Sequence, residues 1–165
     1  MRLTLATTLG LAIAAPASAD IRATFLEGAP KDRFTVENTS ACAIRDVALT
    51  IDLRPSQGGL IFDTTAQGQG VEVFQPFELT AGADTLRRPP EVADGDQALT
   101  LEIGLLPPGR AISFTIDVDD TRGGREITVN GDEITGAHLV AAIGGAWVKA
   151  PFKGPSAALP HPCAT

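Results

Sequence analysis

The sequence predicts an all-β protein, an antiparallel β-sandwich that is immunoglobulin-like in outline, and three observations support this prediction. Short segments alternate apolar and polar residues, as strands with one buried face do. The 17 glycines and 12 prolines lie mostly between these segments. Turn signals recur about every ten residues, which is the spacing typical of sandwiches. A jelly roll is the alternative, and the absence of tyrosine argues against a true immunoglobulin domain with its tyrosine corner.

The N-terminal and central strands follow from this alternation. We expect strands at residues 21–26, 33–37, 44–53, 60–62, 99–105 and 110–119. Residues 71–79 are strand-like but contain Pro76, which predicts an edge strand, a bulge or two separate pieces. Residues 81–97 are rich in Pro, Asp and Gly, and we expect a loop there.

Two glycine-containing segments determine which turns and strands we expect in the C-terminal part of the chain. Asn130-Gly131 predicts a type I′ hairpin between residues 127–129 and residues 133–134. The apolar stretch 138–148 predicts one strand with a bulge at Gly144-Gly145, and a short helix is the alternative.

Residues 1–19 are typical of a signal peptide. Arg2 is followed by a short apolar run, and Ala17-Ser18-Ala19 is a small-residue cleavage signal. Cleavage before Asp20 would leave a single domain over residues 20–165, exported to the periplasm or the extracellular space. The apolar run is too short for a comfortable membrane span, and no later run is longer.

Cys42 and Cys163 are the only two cysteines, and an exported protein enters an oxidising compartment. We therefore expect a disulfide between them, which would tie the C-terminal tail to the beginning of the domain. A catalytic or metal-binding thiol is the alternative, but neither cysteine has a second thiol or a histidine at ligand spacing.

The chain is acidic, with a net charge of −7 for all 165 residues and −8 once Arg2 is removed with the signal peptide. This balance argues against nucleic acid or an anionic membrane surface as the partner. It is compatible with cation binding and equally with plain solubility.

The segment 114–120 combines a strand pattern with three carboxylates. Alternation places Asp117 and Asp119 on one face, about 6–7 Å apart along the strand, and Asp120 follows at the strand end. Carboxylates this close repel one another unless a cation or basic groups offset their charge. Calcium, which takes six to eight oxygen ligands, is the cation this pattern suits.

Further carboxylates sit at predicted strand ends and complete the candidate calcium site. Asp63 ends a short apolar run, while Asp94 and Asp96 flank a glycine just before the strand at residue 99. The alternative is that these residues are solvated caps and turns. Asp117 has a second alternative of its own, an ion pair with a nearby arginine, namely Arg110, Arg122 or Arg125.

Several sequence blocks together resemble the exported bacterial proteins described as aggregation-factor core proteins. The blocks are EGAPKDRF at residues 27–34, GLIFDTT at 59–65, VEVFQPF at 71–77, DGD at 94–96 and FTIDVDD at 114–120. That family is named for its similarity to the core of sponge cell-aggregation factors, which are calcium-dependent adhesion proteins. The resemblance spans residues 21–145 and implies a small extracellular or periplasmic β domain, but it supplies no ligand residues.

The sequence thus predicts a non-catalytic binding or surface-assembly module of adhesion type, stabilised by calcium if the carboxylates converge. Its partner would be a protein or a cell-surface glycan, and self-association is a further expectation. The alternative is a metal-free structural or interaction module. A carbohydrate-active enzyme has the least support, because it would depend on acidic pairs such as Glu72 and Glu78 and on His138 as a base. A chain with one Trp and no Tyr also has little aromatic surface for sugars, and we expect Trp147 in core or rim packing.

Overall fold

The computed structural model describes residues 20–68, 70, 74–122, 129–161 and 163. Within these ranges the chain forms ten strands and one 3-10 helix, Ala83–Thr85. The strands are β1 Asp20–Leu26, β2 Asp32–Asn38, β3 Ile44–Asp52, β4 Ile61–Asp63, β5 Glu78–Ala81, β6 Ala98–Leu106, β7 Ala111–Asp119, β8 His138–Ile143, β9 Ala146–Pro151 and β10 Ser156–Pro160. The predicted signal peptide at residues 1–19 lies outside these ranges. No helix in the described part of the chain is long and apolar enough to cross a membrane.

The strands form two antiparallel sheets, and the prediction of an antiparallel β-sandwich is confirmed. The first sheet has the order β10-β1-β2-β7-β4, and β5 also pairs with β7. The second sheet has the order β6-β3-β8-β9. One continuous apolar core contains residues from both sheets.

Aromatic rings fill the part of the core that β1, β2 and β7 provide. Phe34 lies between Phe25 and Phe114, with ring centroids 5.0 Å and 5.3 Å away. Leu49 and Ile51 of β3 reach this core from the second sheet, and both are fully buried. Alternating burial along β2 and β3 is the pattern expected for strands with one face on the core.

The Asn130-Gly131 hairpin prediction is wrong, because residues 131–136 form consecutive turns. The side chain of Asn130 accepts a hydrogen bond from the Asp132 N–H at 3.0 Å, and Glu133 Oε2 accepts one from the Asn130 N–H at 2.7 Å. This reciprocal bonding resembles a capping box, which favours helical turns over an extended strand. Residues 127–128, the start of the predicted hairpin, lie outside the described ranges.

The single strand predicted at residues 138–148 is two strands. Gly144 and Gly145 both have positive φ, 59° and 81°, and form the turn between β8 and β9, with Ile143 opposite Ala146. Two successive left-handed residues suit a two-residue hairpin turn rather than a bulge. The tail also contains a strand that the sequence analysis did not predict, β10, which pairs with β1.

The predicted disulfide between Cys42 and Cys163 is confirmed, with a Cα–Cα distance of 5.7 Å. It closes a loop across 121 residues of sequence and fastens the tail beyond β10 to the loop before β3.

Candidate metal centre

The C-terminal half of β7 is buried on both faces, whereas the sequence pattern indicated one buried face. Phe114, Ile116 and Val118 point into the core, and the opposite face is also covered. Thr115, Asp117 and Asp119 on that opposite face are only 4%, 7% and 3% exposed. The Asp117 and Asp119 carboxylates are therefore in an environment that penalises their charge.

Strand β4 brings a third carboxylate to this face. Asp63 lies opposite Asp117 in the β4–β7 ladder, and Ile61 lies opposite Asp119. Asp63, Asp117 and Asp119 each offer a carboxylate oxygen within 4.8 Å of the others. The structure thus brings together three of the six predicted ligands.

Asp63 is the most constrained member of this carboxylate cluster. Its side chain is fully buried, and neither of its carboxylate oxygens accepts a hydrogen bond from the residues that the structure describes. A buried acceptor without a donor costs about 1–3 kcal/mol, and more if the group is charged. Such a group calls for a proton or a cation.

The cluster opposes its own ionisation. Burial raises the pKa of Asp63 to about 7, and the neighbouring carboxyls of Asp94 and Asp119 add to the rise. Burial also raises the pKa of Asp117 to about 7, with further contributions from the charges of Asp119 and Asp63. Without a cation, these groups are therefore partly protonated at neutral pH.

Asp32 is a fourth buried carboxylate beside the cluster, and the sequence analysis did not include it. Its Oδ1 accepts the Gly28 N–H at 3.0 Å and its Oδ2 accepts the Val118 N–H at 3.1 Å. Burial raises its pKa to about 7, and the charges of Asp117 and Asp119 contribute despite the two hydrogen bonds. The sequence carried a signal for this residue, because Asp32 is two residues before Phe34 and therefore points to the same, buried face of β2.

The loop before β6 places Asp94 next to Asp63. The Phe62 N–H donates to the Asp96 carbonyl at 2.8 Å, and the Gly95 N–H donates to the Phe62 carbonyl at 2.9 Å. The left-handed φ of Gly95, 79°, permits the turn. Asp94 Oδ1 accepts the Thr64 N–H at 2.9 Å, so this carboxylate also shapes the chain that leaves β4.

The two other predicted ligands have different positions. Asp96 Oδ2 accepts the Ala93 N–H at 2.7 Å, which is ordinary turn chemistry. Asp120 follows the last residue of β7 and is half-buried. Neither belongs to the group whose oxygens lie together.

Two glycines pack directly against the carboxylates. A Cβ atom on Gly70 would collide with the carboxylates of Asp119 and Asp63, and one on Gly68 would collide with that of Asp94. The backbone there approaches the cluster as closely as only glycine allows.

Two of the three arginines considered as partners of Asp117 bind elsewhere. Arg110 pairs with Asp84 at 3.1 Å, and Arg122 donates to the Ser56 carbonyl at 3.4 Å. Arg125 lies outside the described ranges. Within those ranges no ion pair joins Lys or Arg to Asp63 or Asp117.

The donor set fits a hard cation. All donors are carboxylate oxygens, which calcium prefers, and the histidine and thiolate ligands typical of zinc are absent from the group. Two oxygens bound to one calcium ion at about 2.4 Å each lie at most about 4.8 Å apart. The spacing in the cluster is therefore compatible with a shared ion.

No protein-family model matches the chain, and no curated protein sequence matches it significantly. Among solved structures, the chain is similar to the carbohydrate-binding module CBM3b from the cellulosomal cellobiohydrolase 9A of Clostridium thermocellum. The identity is 16%, the TM-score is 0.39, and the match covers 79% of this chain and 94% of the module. A likeness this distant does not identify a ligand for this chain.

Proposed function

We propose that the protein is an exported, non-catalytic binding or surface-assembly module of adhesion type, and that calcium at Asp63, Asp117 and Asp119 stabilises its sandwich. One observation carries the calcium part: the fully buried Asp63 carboxylate accepts no hydrogen bond from the residues that the structure describes, and it faces two more buried carboxylates. The resemblance to aggregation-factor core proteins supports the adhesion part and the export.

A cation at this position has a structural role. The three carboxylates are at most 7% exposed, so an ion between them is not open to a substrate. It would join β4 to β7 and, through Asp94, to the loop before β6. It would also remove the repulsion and the unsatisfied acceptors that otherwise destabilise this part of the sheet.

Thermal unfolding of the metal-free protein with and without calcium tests the proposal. A ligand that binds only the folded state raises the midpoint by roughly 5–10 °C for a domain of this size when it is about a hundredfold above its dissociation constant. We expect such a rise in millimolar calcium and its reversal by chelator. An unchanged midpoint would support the metal-free module instead.

The described residues give little support to the alternative that the protein is a carbohydrate-active enzyme. His138 lies opposite Asp52 on the outer face of the second sheet. The Asp52 carboxylate is occupied by Arg54, whose guanidinium donates to it at 2.7 Å and 2.8 Å. Glu78 is exposed and pairs with Lys31, and Glu72 lies outside the described ranges. These contacts favour surface ion pairs over an acid and a base converging in a cleft.

A further inference from the structure

The outer face of the second sheet carries an exposed tryptophan that the metal centre does not explain. Trp147, the only tryptophan in the chain, is 76% exposed. Of the two expectations for this residue, core packing and rim packing, core packing is therefore wrong. A tryptophan this exposed leaves a large apolar surface in water, and such side chains are enriched at binding sites.

The strand register shows which side chains lie in the same row as Trp147 across the sheet. Ala142 lies opposite Trp147 on β8, Ala48 occupies the corresponding position on β3, and Glu102 lies opposite Ala48 on β6. These four side chains share one face of the sheet, since the intervening Leu49 and Ala141 point into the core. Small side chains beside the indole leave its ring standing above a flat surface.

The neighbouring row of the same face is polar. Lys149, Val140, Thr50 and Thr100 follow one another across β9, β8, β3 and β6. The Thr50 and Thr100 hydroxyls form a hydrogen bond of 2.8 Å with each other, which uses only one of their two protons. One hydroxyl proton and several lone pairs remain available to a ligand. Lys149 lies in the same row, two strands and about 10 Å from Thr50.

The side chains on the outer face of the second sheet indicate which class of ligand it would bind. It combines one exposed aromatic ring with small and hydroxyl side chains, which suits a molecule with both an apolar ring face and many hydroxyls. Protein interfaces of stable complexes need about 800 Å² per partner with an apolar centre, and alanines and threonines do not provide one. The face also carries both signs of charge on an acidic chain, so a polyanion gains no attraction.

Taking the protein as a non-catalytic binding module, we infer that the outer face of β6-β3-β8-β9 binds a neutral oligosaccharide. The Trp147 indole stacks on the apolar face of one sugar ring. Thr50, Thr100 and Lys149 exchange hydrogen bonds with hydroxyls of neighbouring sugars. The site lies on the sheet that does not contain the carboxylate cluster, so sugar recognition needs no bound calcium as a ligand.

Tryptophan fluorescence tests this directly, because Trp147 is the only source of indole emission. The full chain is titrated with neutral oligosaccharides, namely cellohexaose, xylohexaose, mannohexaose and chitohexaose, and with the acidic polymers heparin and polygalacturonate. We expect at least one neutral oligosaccharide to shift the emission, saturably, and the acidic polymers to leave it unchanged.

Calorimetry on variants then locates the site. We expect Trp147→Ala to weaken binding about tenfold or more and Trp147→Phe, which keeps a stacking ring, to weaken it less. Leu26→Ala is the matched control, because Leu26 is 61% exposed on the other sheet and should leave binding unchanged.

Three results would overturn the inference: no response to any neutral oligosaccharide, a response to acidic polymers alone, or equal binding by Trp147→Ala and the native chain. The calcium proposal fails on a different readout, the thermal midpoint, so the two failures are distinguishable.

Discussion

Asp63 faces Asp117 across the β4–β7 ladder, and the two carboxylates are buried together with that of Asp119. Directly opposed like charges destabilise a sheet, and burial strengthens their repulsion. No Lys or Arg among the described residues pairs with Asp63 or Asp117, so protons or a bound cation remain to neutralise this arrangement. Protonation and cation binding change the stability differently with pH and with calcium, which distinguishes them.

Asp63→Asn should have opposite effects with and without calcium. The neutral amide removes one charge from the cluster, so we expect a higher melting midpoint than that of the native chain in chelator. It also removes a ligand, so the rise that calcium produces should be lost or strongly reduced. Asp132→Asn is the matched control, since Asp132 is exposed and distant in sequence from the cluster. A full calcium response in Asp63→Asn would contradict the assignment of this residue as a ligand.

The stability of the metal-free protein should fall as pH rises from about 4 to about 7. The pKa of Asp63 and that of Asp117 are raised to about 7, so the folded state holds protons that the unfolded state has lost across this window. A rise of about three pKa units corresponds to at most about 4 kcal/mol for one group, and the total is less than additive because the groups interact. Asp52 has the opposite effect on the pH dependence, because its hydrogen bond with Arg54 lowers its pKa. The stabilisation that ionised Asp52 contributes is lost only below about pH 4, outside this window.

Urea unfolding in metal-free buffer at several pH values measures this slope. In excess calcium the bound carboxylates are ionised in the folded state as in the unfolded state above about pH 5, so we expect the decline to disappear and the stability to be nearly independent of pH between about pH 5 and 7. The metal-free decline should be smaller in Asp63→Asn than in the native chain. A metal-free protein that becomes more stable between about pH 4 and 7 would show that these carboxyls do not titrate as proposed.

Part of the cluster could be predicted from sequence because it rests on local geometry. Alternation along residues 114–120 places Asp117 and Asp119 on one face, and a strand end at Asp63 marks a third candidate. The pairing of β4 with β7 is non-local, so the register that sets Asp63 against Asp117 could not be read from either segment alone. Asp32 was missed because residues 28–32 were assigned to a turn-rich link and the strand was expected to begin at Arg33, although Asp32 continues the alternation of β2.

The prediction failures in the fold have equally local causes. Side-chain hydrogen bonds from Asn130 and Glu133 override the hairpin signal of Asn130-Gly131. Strand β10 was not predicted because Pro155 and Pro160 stand at the two ends of its segment. Prolines usually indicate irregular chain rather than a strand. Among the strands in the described ranges, β10 pairs with β1 and lies at the end of the sheet, a position where prolines are tolerated.

Gly70→Ala should weaken calcium binding. The added Cβ would collide with the carboxylates of Asp119 and Asp63, so these side chains or the backbone must move. Misplaced ligands lower the affinity, and we expect a smaller calcium-induced midpoint shift at the same calcium concentration. Gly131→Ala is the matched control, because its Cβ would meet only Pro155 at 3.7 Å, an ordinary contact. Equal calcium affinities of both variants, measured by calorimetry, would show that Gly70 does not shape the site.

Replacing both cysteines, Cys42→Ser with Cys163→Ser, should destabilise the domain without affecting the metal centre. In the chain-entropy model, a disulfide that spans 121 residues stabilises the folded state by about 4–5 kcal/mol. The bond fastens the tail beyond β10, so its loss should also increase proteolysis of that tail. The carboxylate cluster lies on β4 and β7, whereas the disulfide joins the loop before β3 to the tail beyond β10. Chemical unfolding should therefore show a lower stability but a retained calcium-induced increase. Loss of that increase in a variant that still folds would mean that the tail helps to hold the β4–β7 pair in place.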